Sequence, residues 1–272
     1  MMRALYTAAT GMIAEQTNVD TISNNLANVN TTGYKTTRTE FKSLLYQNIQ
    51  ARTTTANGEN KPVGAQVGLG TRVAATTSMY TQGALNASES DTDFAIEGNG
   101  FFAIRDIDGE TYYTRNGNFT WSIAADGRTF LTDTQGCPVL DRNGNEIYVP
   151  AGVAAEAMHF SETGEIGYMT TEGNYVALDQ SFGVYQFNNP AGLEKLANSR
   201  LRATAASGNP MLEGTVEGLT NSKIFSNRLE GSNVQVADEM VNLIIAQRAY
   251  ELNSKAITTA DSMLDTANNL KR

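Results

Sequence analysis

The chain has 272 residues and a formal charge of −9, with 20 Lys and Arg against 29 Asp and Glu. That length can bury one large core or two smaller ones. The acidic balance, without a basic cluster, speaks against a nucleic-acid partner. A single cysteine, Cys137, and a single histidine, His159, exclude an internal disulfide and a multi-cysteine or paired-imidazole metal site.

The first helical pattern runs from about Arg3 to Ala27. Leu5, Met12, Val19 and Leu26 recur every seven residues, and Met1, Ala8, Ile22 and Val29 fill the position three residues on, with Glu15 interrupting that second row. Asn24, Asn25 and Asn28, then Thr31-Thr32-Gly33-Tyr34, predict a helix stop followed by a turn, because Asn and Gly tolerate the left-handed conformation. No uninterrupted apolar stretch follows Arg3, so a conventional signal peptide is not expected, and no run reaches membrane-spanning length. On these facts alone the chain reads as soluble and cytosolic.

Phe41, Leu44, Leu45 and Ile49 are spaced as a short amphipathic helix. From Gln50 to Gly70 hydrophobic residues nearly vanish, and Thr53, Thr54, Thr55, Asn57, Lys61 and Pro62 give the stretch the character of a long loop. Gly98 and Gly100 precede Phe101-Phe102, and without a third glycine and a following helix they do not make a dinucleotide site. From Phe101 to Phe187 short apolar runs alternate with turn pairs, Asp108-Gly109, Asp126-Gly127, Asn143-Gly144 and Thr163-Gly164. This is the pattern of an all-β module of hairpins. A helical turn near Leu196 and an extended connection from Leu201 to Leu219 follow.

The last forty residues lack Gly and Pro, and Ser232 or Asn233 can cap a helix there. Val236, Leu243, Tyr250, Ile257 and Leu264 recur every seven positions, as do Ala249, Ala256, Met263 and Leu270. Glu251 and Lys255 are spaced for a helical ion pair, and Lys271 and Arg272 sit where the helix dipole favours cations. Such a helix would be on the order of 55 Å long and needs a partner. Two readings stand side by side: a coiled-coil pair of terminal helices, closing the chain on itself or on neighbouring copies, or two ordinary core-facing helices.

Three blocks carry a family resemblance. Asn25-Leu26-Ala27-Asn28 with Thr31-Thr32-Gly33-Tyr34-Lys35 resembles the N-terminal signature of the bacterial flagellar rod and hook proteins. Asp93-Phe94-Ala95-Ile96-Glu97-Gly98-Asn99-Gly100-Phe101-Phe102 is similar to the family's second block. Met240-Val241-Asn242-Leu243-Ile244, Gln247-Arg248-Ala249-Tyr250-Glu251 and Asn253-Ser254-Lys255 are similar to its C-terminal block. In order and position the three blocks span essentially the whole chain. Within the family, the extra segment at Gln50 to Gly70 resembles the distal rod rather than the hook.

The residues offer little catalytic chemistry. His159 is flanked by Met158 and Phe160 and reads as an edge-strand residue near solvent, and Cys137 as a small packed residue in a strand. Asp91 with Asp93, or Glu162 with Glu165, are near neighbours expected by chance among 29 acidic residues. Tyr112, Tyr113, Phe119, Trp121 and Phe130 could form a carbohydrate-stacking face or pack across strands on one face, and packing is the preferred reading.

The expected fold is α+β: long terminal helices forming a coiled-coil-like module around a central all-β domain. Residues 1–45 with 221–272 would form the helical module, 46–80 with 201–220 the connecting segments, and 81–200 the β-rich domain. The resemblance implies a non-enzymatic, cofactor-free structural subunit of the distal rod in the flagellar basal body, exported by the flagellar type III apparatus. Its implied partners are further copies of itself in a helical homo-polymer, proximal rod and hook proteins, the rod-cap protein and the bushing rings, with no membrane insertion. The heptad rows place the expected subunit interfaces at Leu5, Met12, Val19, Ile22 and Leu26 and at Val236, Leu243, Tyr250, Ile257 and Leu264, and the hydrophobic-poor stretch Thr53 to Pro62 is expected to stiffen the shaft. Two alternatives stay open: another flagellar axial subunit, or a carbohydrate-binding or hydrolytic β module with helical oligomerisation arms.

Overall fold

Seven-residue spacing at both ends yields a helix at each end. A computed structural model describes residues 2–50, 64–124, 127–170, 174–216 and 218–270. Helix α1 spans Met2–Ala27 and helix α2 spans Val236–Asn269. Threonine, a weak helix former, is accommodated in α1 by bonding backwards: the hydroxyls of Thr7, Thr17 and Thr21 donate to the carbonyls of Arg3, Ile13 and Thr17. Neither Ser232 nor Asn233 caps α2; the helix begins after Gln235, which gives no side-chain cap. Glu251 pairs with Arg248 at 2.7 Å instead of the expected Lys255. Lys271 and Arg272 lie outside the described residues.

The segment expected as a short helix is strand. β1 (Thr37–Ser43) and β2 (Tyr46–Gln50) pair antiparallel with β4 (Thr71–Ser78) and β3 (Ala65–Gly68), respectively. The Leu44 N–H donates to the Gly70 carbonyl and the Leu69 N–H to the Leu45 carbonyl, joining the two ladders into one ribbon. The helical spacing of Phe41, Leu44, Leu45 and Ile49 was overridden by this long-range pairing. Part of the expected loop, Ala65–Gly68, is therefore strand, while Thr53, Thr54, Thr55, Asn57, Lys61 and Pro62 lie outside the described residues. The helices and the ribbon form one compact unit; Asn28–Thr36 and Met79–Val234 form the other.

The second unit is β-rich. It contains β5 (Leu85–Ala87), β6 (Phe94–Glu97), β7 (Phe101–Arg105), β8 (Thr111–Thr114), β9 (Phe119–Ile123) and β10 (Thr129–Asp133). It continues with β11 (Met158–Phe160), β12 (Glu165–Met169), β13 (Tyr175–Ser181), β14 (Val184–Gln186), β15 (Glu194–Lys195) and β16 (Arg200–Arg202). β17 (Met211–Leu212), β18 (Lys223–Ser226) and β19 (Arg228–Glu230) complete it. The largest sheet runs β15-β16-β8-β7-β14-β17, with smaller pairings β9 to β10, β11-β12-β13, β6 to β18 and β5 to β19. Gly109, at φ 80°, turns the β7–β8 hairpin, as the Asp-Gly pair predicts. The helical turn expected near Leu196 is replaced by a 3-10 turn at Pro190–Gly192 and the short strand β15.

β7 explains the continuous apolar run Phe101-Phe102-Ala103-Ile104: it is buried on both faces. Phe102 and Ile104 join a cluster with Phe94, Phe119, Leu131, Val139, Ile147 and Ile166, while Phe101 and Ala103 face Tyr113, Leu140, Phe187 and Leu201. The aromatics expected on one face divide accordingly. Phe119 is in the first cluster with Tyr112 and Trp121 against it, Tyr113 is in the second, and Phe130 meets Tyr148 at 6.5 Å.

Candidate assembly elements

α1 and α2 run antiparallel, since Gly11 lies against Asn253 while Asn25 reaches Glu239. A Cβ on Gly11 would come within 2.8 Å of the Asn253 amide nitrogen, so glycine lets the helices approach there. On α1 the buried positions are Ala8, Ala14, Ile22 and Asn25, with Leu5, Met12, Val19 and Leu26 half-buried. On α2, Glu239, Ala246 and Ala260 are buried, and Leu243, Asn253, Ile257 and Leu264 are half-buried. Val236 and Tyr250 are exposed.

The second row of the seam is thus Glu239, Ala246, Asn253 and Ala260. The expected companion row of Ala249, Ala256, Met263 and Leu270 does not fill that role: Ala256, Met263 and Leu270 are exposed. Close helix approach selects small or hydrogen-bonding side chains, which hydrophobic periodicity overlooks. A further set of large apolar residues points outward. Met240, Val241, Ile244, Ile245 and Leu252 on α2, and Met2, Tyr6 and Ile13 on α1, are each more than half exposed, with Leu252 at 68%.

Asn25 fixes the end of α1. Its side-chain N–H groups donate to the Thr37 carbonyl at 2.8 Å and to Glu239 Oε2 at 3.1 Å, and its Oδ1 accepts the Thr37 N–H at 3.0 Å. One amide therefore binds the start of β1 and the start of α2. The Thr39 and Thr21 hydroxyls, 2.9 Å apart, add a second tie between the ribbon and α1.

The second half of the N-terminal motif belongs to the β-rich unit. Gly33 sits at φ 69°, where a Cβ would lie 2.8 Å from the Arg115 backbone, and its N–H donates to the Glu230 carbonyl at 2.8 Å. Lys35 Nζ meets Glu230 Oε1 at 2.6 Å, Arg115 meets Oε2 at 3.1 Å, and the Gly83 N–H donates to Oε1 at 2.9 Å. All three charged side chains are buried. Arg115 also donates to the carbonyls of Ile96 and Gly98 and lies over the Phe101 ring. Burial pulls Lys35 and Arg115 below their ordinary pKa values, and the Glu230 carboxylate opposes that pull. Beside this cluster Asn233 accepts from the Thr36 N–H and hydroxyl, both at 2.7 Å, and donates to the Met79 carbonyl at 2.8 Å.

Of the motif residues singled out, Asn25 and Gly33 hold these positions directly. Leu26 and Ala27 finish α1, Asn28 accepts from Thr31 in the turn, and the Tyr34 ring lies 5.3 Å from Lys195 Nζ. Lys35 is marked in the sequence only as part of the motif and Asn233 only as a candidate helix cap, while Arg115, Glu230 and Glu239 carry no sequence signal of these roles. The one available signal was Gly11, a glycine in mid-helix. His159 is exposed on β11, at the edge of its sheet. Cys137 is buried, its thiol donating to Asp106 and accepting from Arg200, and burial pushes its pKa up.

The chain is similar to known sequences along its whole length. Residues 5–35 match the family described as flagella basal body rod protein, residues 95–168 the flagellar hook protein FlgE/F/G D1 domain, and residues 226–270 the flagellar basal body rod FlgEFG protein C-terminal region. The flagellar basal-body rod protein FlgG of Borreliella burgdorferi is 44% identical, with 100% of both chains covered. Those of Agrobacterium fabrum and of Buchnera aphidicola from Acyrthosiphon pisum are 40% and 36% identical, each over 99% of this chain and 100% of the relative. The chain belongs to the flagellar basal-body rod family, in its FlgG branch, and is a structural subunit of the distal rod.

Proposed function

We propose that the helical unit carries polymerisation and that the outward apolar rows, not only the seam, are its means. In each subunit Leu5, Met12, Val19, Ile22 and Leu26 with Leu243, Ile257 and Leu264 close the helix pair. Neighbouring copies then cover Met2, Tyr6 and Ile13 on α1 and Val241, Ile244, Ile245 and Leu252 on α2, with Val236 and Tyr250 at the margin. The result is a coiled-coil-like helical core, with the β-rich unit as the outer part. The observation that supports this most is the double character of α2: one side packs on α1 while the other exposes large aliphatic side chains, an arrangement water disfavours. Residues 1–45 with 221–272 act as the polymer-forming part, 46–80 with 201–220 as the connection, and 81–200 as the outer part.

The subunit is exported through the flagellar type III apparatus, joins proximal rod and hook proteins at the two ends of its segment, and meets the rod-cap protein and bushing rings on the way. No helix among the described residues is long and apolar enough to cross a membrane. The ribbon exposes Leu45, at 82%, and Tyr46 and Ile49. An isolated two-stranded ribbon is marginal in water. Contact with neighbours therefore orders it and stiffens the shaft that transmits torque to the hook.

Polymerisation of purified variants, followed by sedimentation and electron microscopy, tests both parts. Ile245→Asp is expected to give no filaments while near-ultraviolet circular dichroism of the β-rich unit stays intact; filaments of normal length would overturn the outward-row assignment. Deleting Thr53 to Pro62 is expected to leave polymers that bend. Filaments as straight and stiff as the parent's would remove the stiffening role.

A further inference from the structure

The exposed apolar rows of the two helices lie on opposite flanks of the helix pair. On α2, Gln247 and Glu251 stand about 100° and about 140° around the helix from the seam residue Ala246, whereas Ile245, Leu252 and Met263 stand about 100–120° around in the opposite sense. On α1, Met2, Tyr6 and Ile13 lie about 120–160° from the buried Ala8, in the same sense as Gln16, and Ala4 lies about 40° the other way. Two hollows beside the seam show which flanks correspond. One, of about 400 Å³, is lined by Gln16 and Val19 with Gln247, Tyr250 and Glu251. The other, of about 440 Å³, is lined by Ala4 with Leu252, Ala256, Thr259, Ala260 and Met263. The α1 row therefore shares its flank with the first hollow, and the α2 row shares its flank with the second.

The rows also match in height. Gly11 lies against Asn253 in an antiparallel pair, so each step back along α1 is a step forward along α2. Ile13, Tyr6 and Met2 are thus level with about residues 251, 258 and 262 of α2. Seven residues separate Ile13 from Tyr6 and four separate Tyr6 from Met2; seven separate Leu252 from Thr259 and four separate Thr259 from Met263. A copy set beside another in the same orientation brings the first row onto the second without sliding along the axis. The second hollow has the shape for this: Leu252 and Met263 stand at its two ends along the chain, with the small Ala256 and Ala260 between them, a hole for one aromatic knob. At the height of the α1 row, α2 presents only Glu251, Thr258 and Ser262 on that same flank. A two-fold contact through this flank would set the α1 row on itself or on Met240 and Ile244 and leave Leu252 to Met263 exposed. A head-to-tail contact covers both rows in every interior copy.

We propose that Met2, Tyr6 and Ile13 of each copy seat on Met263, Thr259 and Leu252 of one neighbour, with Tyr6 in the hollow over Ala256 and Ala260, so that copies join head to tail and not as two-fold pairs. This pairing rests on polymerisation by the helical unit and adds which surface meets which. The occupant is a second copy because the chain is a rod subunit and its own two rows are complementary in spacing and height.

The test polymerises the full chain and treats the filaments with a short bis-maleimide. Ile13→Cys together with Leu252→Cys in one chain is expected to give a ladder of covalent multimers, and either substitution alone is expected to give none, with the buried Cys137 unreacted as in the parent. Where that variant does not grow, Tyr6→Cys with Thr259→Cys takes its place. A ladder that stops at dimers, linkage of Ile13→Cys to itself, or linkage of Tyr6→Cys to Ile244→Cys means a two-fold contact and overturns the proposal, while polymerisation by the helical unit stands. Filaments in which neither pair links overturn it in the same way. A parent chain that forms no filaments under any condition overturns the underlying reading and the pairing with it. Ala256→Trp checks the hollow without cysteine chemistry: filling it is expected to raise the critical concentration at least about tenfold, with the monomer's thermal midpoint close to the parent's. An unchanged critical concentration overturns the seating of Tyr6.

Discussion

The two units of this chain bury opposite kinds of side chain. In the β-rich unit Phe94, Phe101, Phe102, Phe119, Ile104, Leu131 and Ile147 are fully buried, each contributing about 1.5–3 kcal/mol relative to exposure. In the helical unit the buried positions are chiefly Ala8, Ala14, Asn25, Glu239, Ala246 and Ala260, with Ile22 the one large aliphatic among them. On α2, Leu243, Ile257 and Leu264 are half-buried, whereas Val241, Ile244, Ile245 and Leu252 face outward. One unit buries its large hydrophobic side chains in its own core, and the other leaves many of them exposed. The same substitution, large apolar to small, should therefore have opposite consequences in the two units.

The largest effect is expected where charge is buried. Glu230→Ala leaves Lys35 and Arg115 without their shared carboxylate, and breaking such a buried set costs about 3–5 kcal/mol. Urea unfolding of the β-rich unit measures it. A loss under 1 kcal/mol would mean that water replaces the carboxylate and that the cluster does not hold Gly33 to Lys35 in place. Phe102→Ala comes next in the same assay. Phe102 touches Phe119 and Phe182 edge-on or tilted at 5.2 and 5.6 Å, and the cavity it leaves costs about 3–5 kcal/mol. An effect this large that also spreads to helix content in the monomer would undo the separation of the two cores.

Asn25→Ala probes the helical unit at its best-bonded point. It leaves the Thr37 N–H without its acceptor and removes two further hydrogen bonds, a loss of about 1–3 kcal/mol confined to the helical unit. Hydrogen exchange at Thr37 and through the first turns of α2 should speed up, while β7 and β8 keep their protection. Unchanged exchange at Thr37 would show that the amide is not the tie described here.

Much of this fold is legible in the sequence where the decisive interactions are local. Asp108-Gly109 and Thr163-Gly164 mark hairpins because their turn chemistry acts within four residues. The helices are legible from seven-residue apolar spacing, interrupted only at Glu15 in the second row of α1. What stays hidden is long-range or small. Phe41 to Ile49 has helical spacing, yet its partners lie at Ala65 to Val73. Glu230 carries no local mark of its role, since Lys35 is 195 residues away. The seam of the helix pair also uses Gly11, Ala246 and Asn253, which a search for large apolar residues passes over; that search finds the half-buried Leu243, Ile257 and Leu264 together with the exposed Val236, Tyr250, Met263 and Leu270.

The smallest effect on the monomer is expected at Ile245, and it sharpens the comparison most. Ile245 is 61% exposed, about 100° around α2 from the seam residue Ala246. Ile245→Ser removes little burial within the chain, and surface changes of this kind stay within about 0.5 kcal/mol. Any shift in monomer helix content should be near the limit of measurement, because serine is only slightly less favourable than isoleucine in a helix. Polymerisation is a different matter: each subunit contact that loses an aliphatic side chain is weakened, and the loss repeats along the filament. The critical concentration for assembly is therefore expected to rise while monomer stability does not change. A monomer destabilised by several kcal/mol would place Ile245 in an internal core. An unchanged critical concentration would show that this side of α2 is not where copies meet.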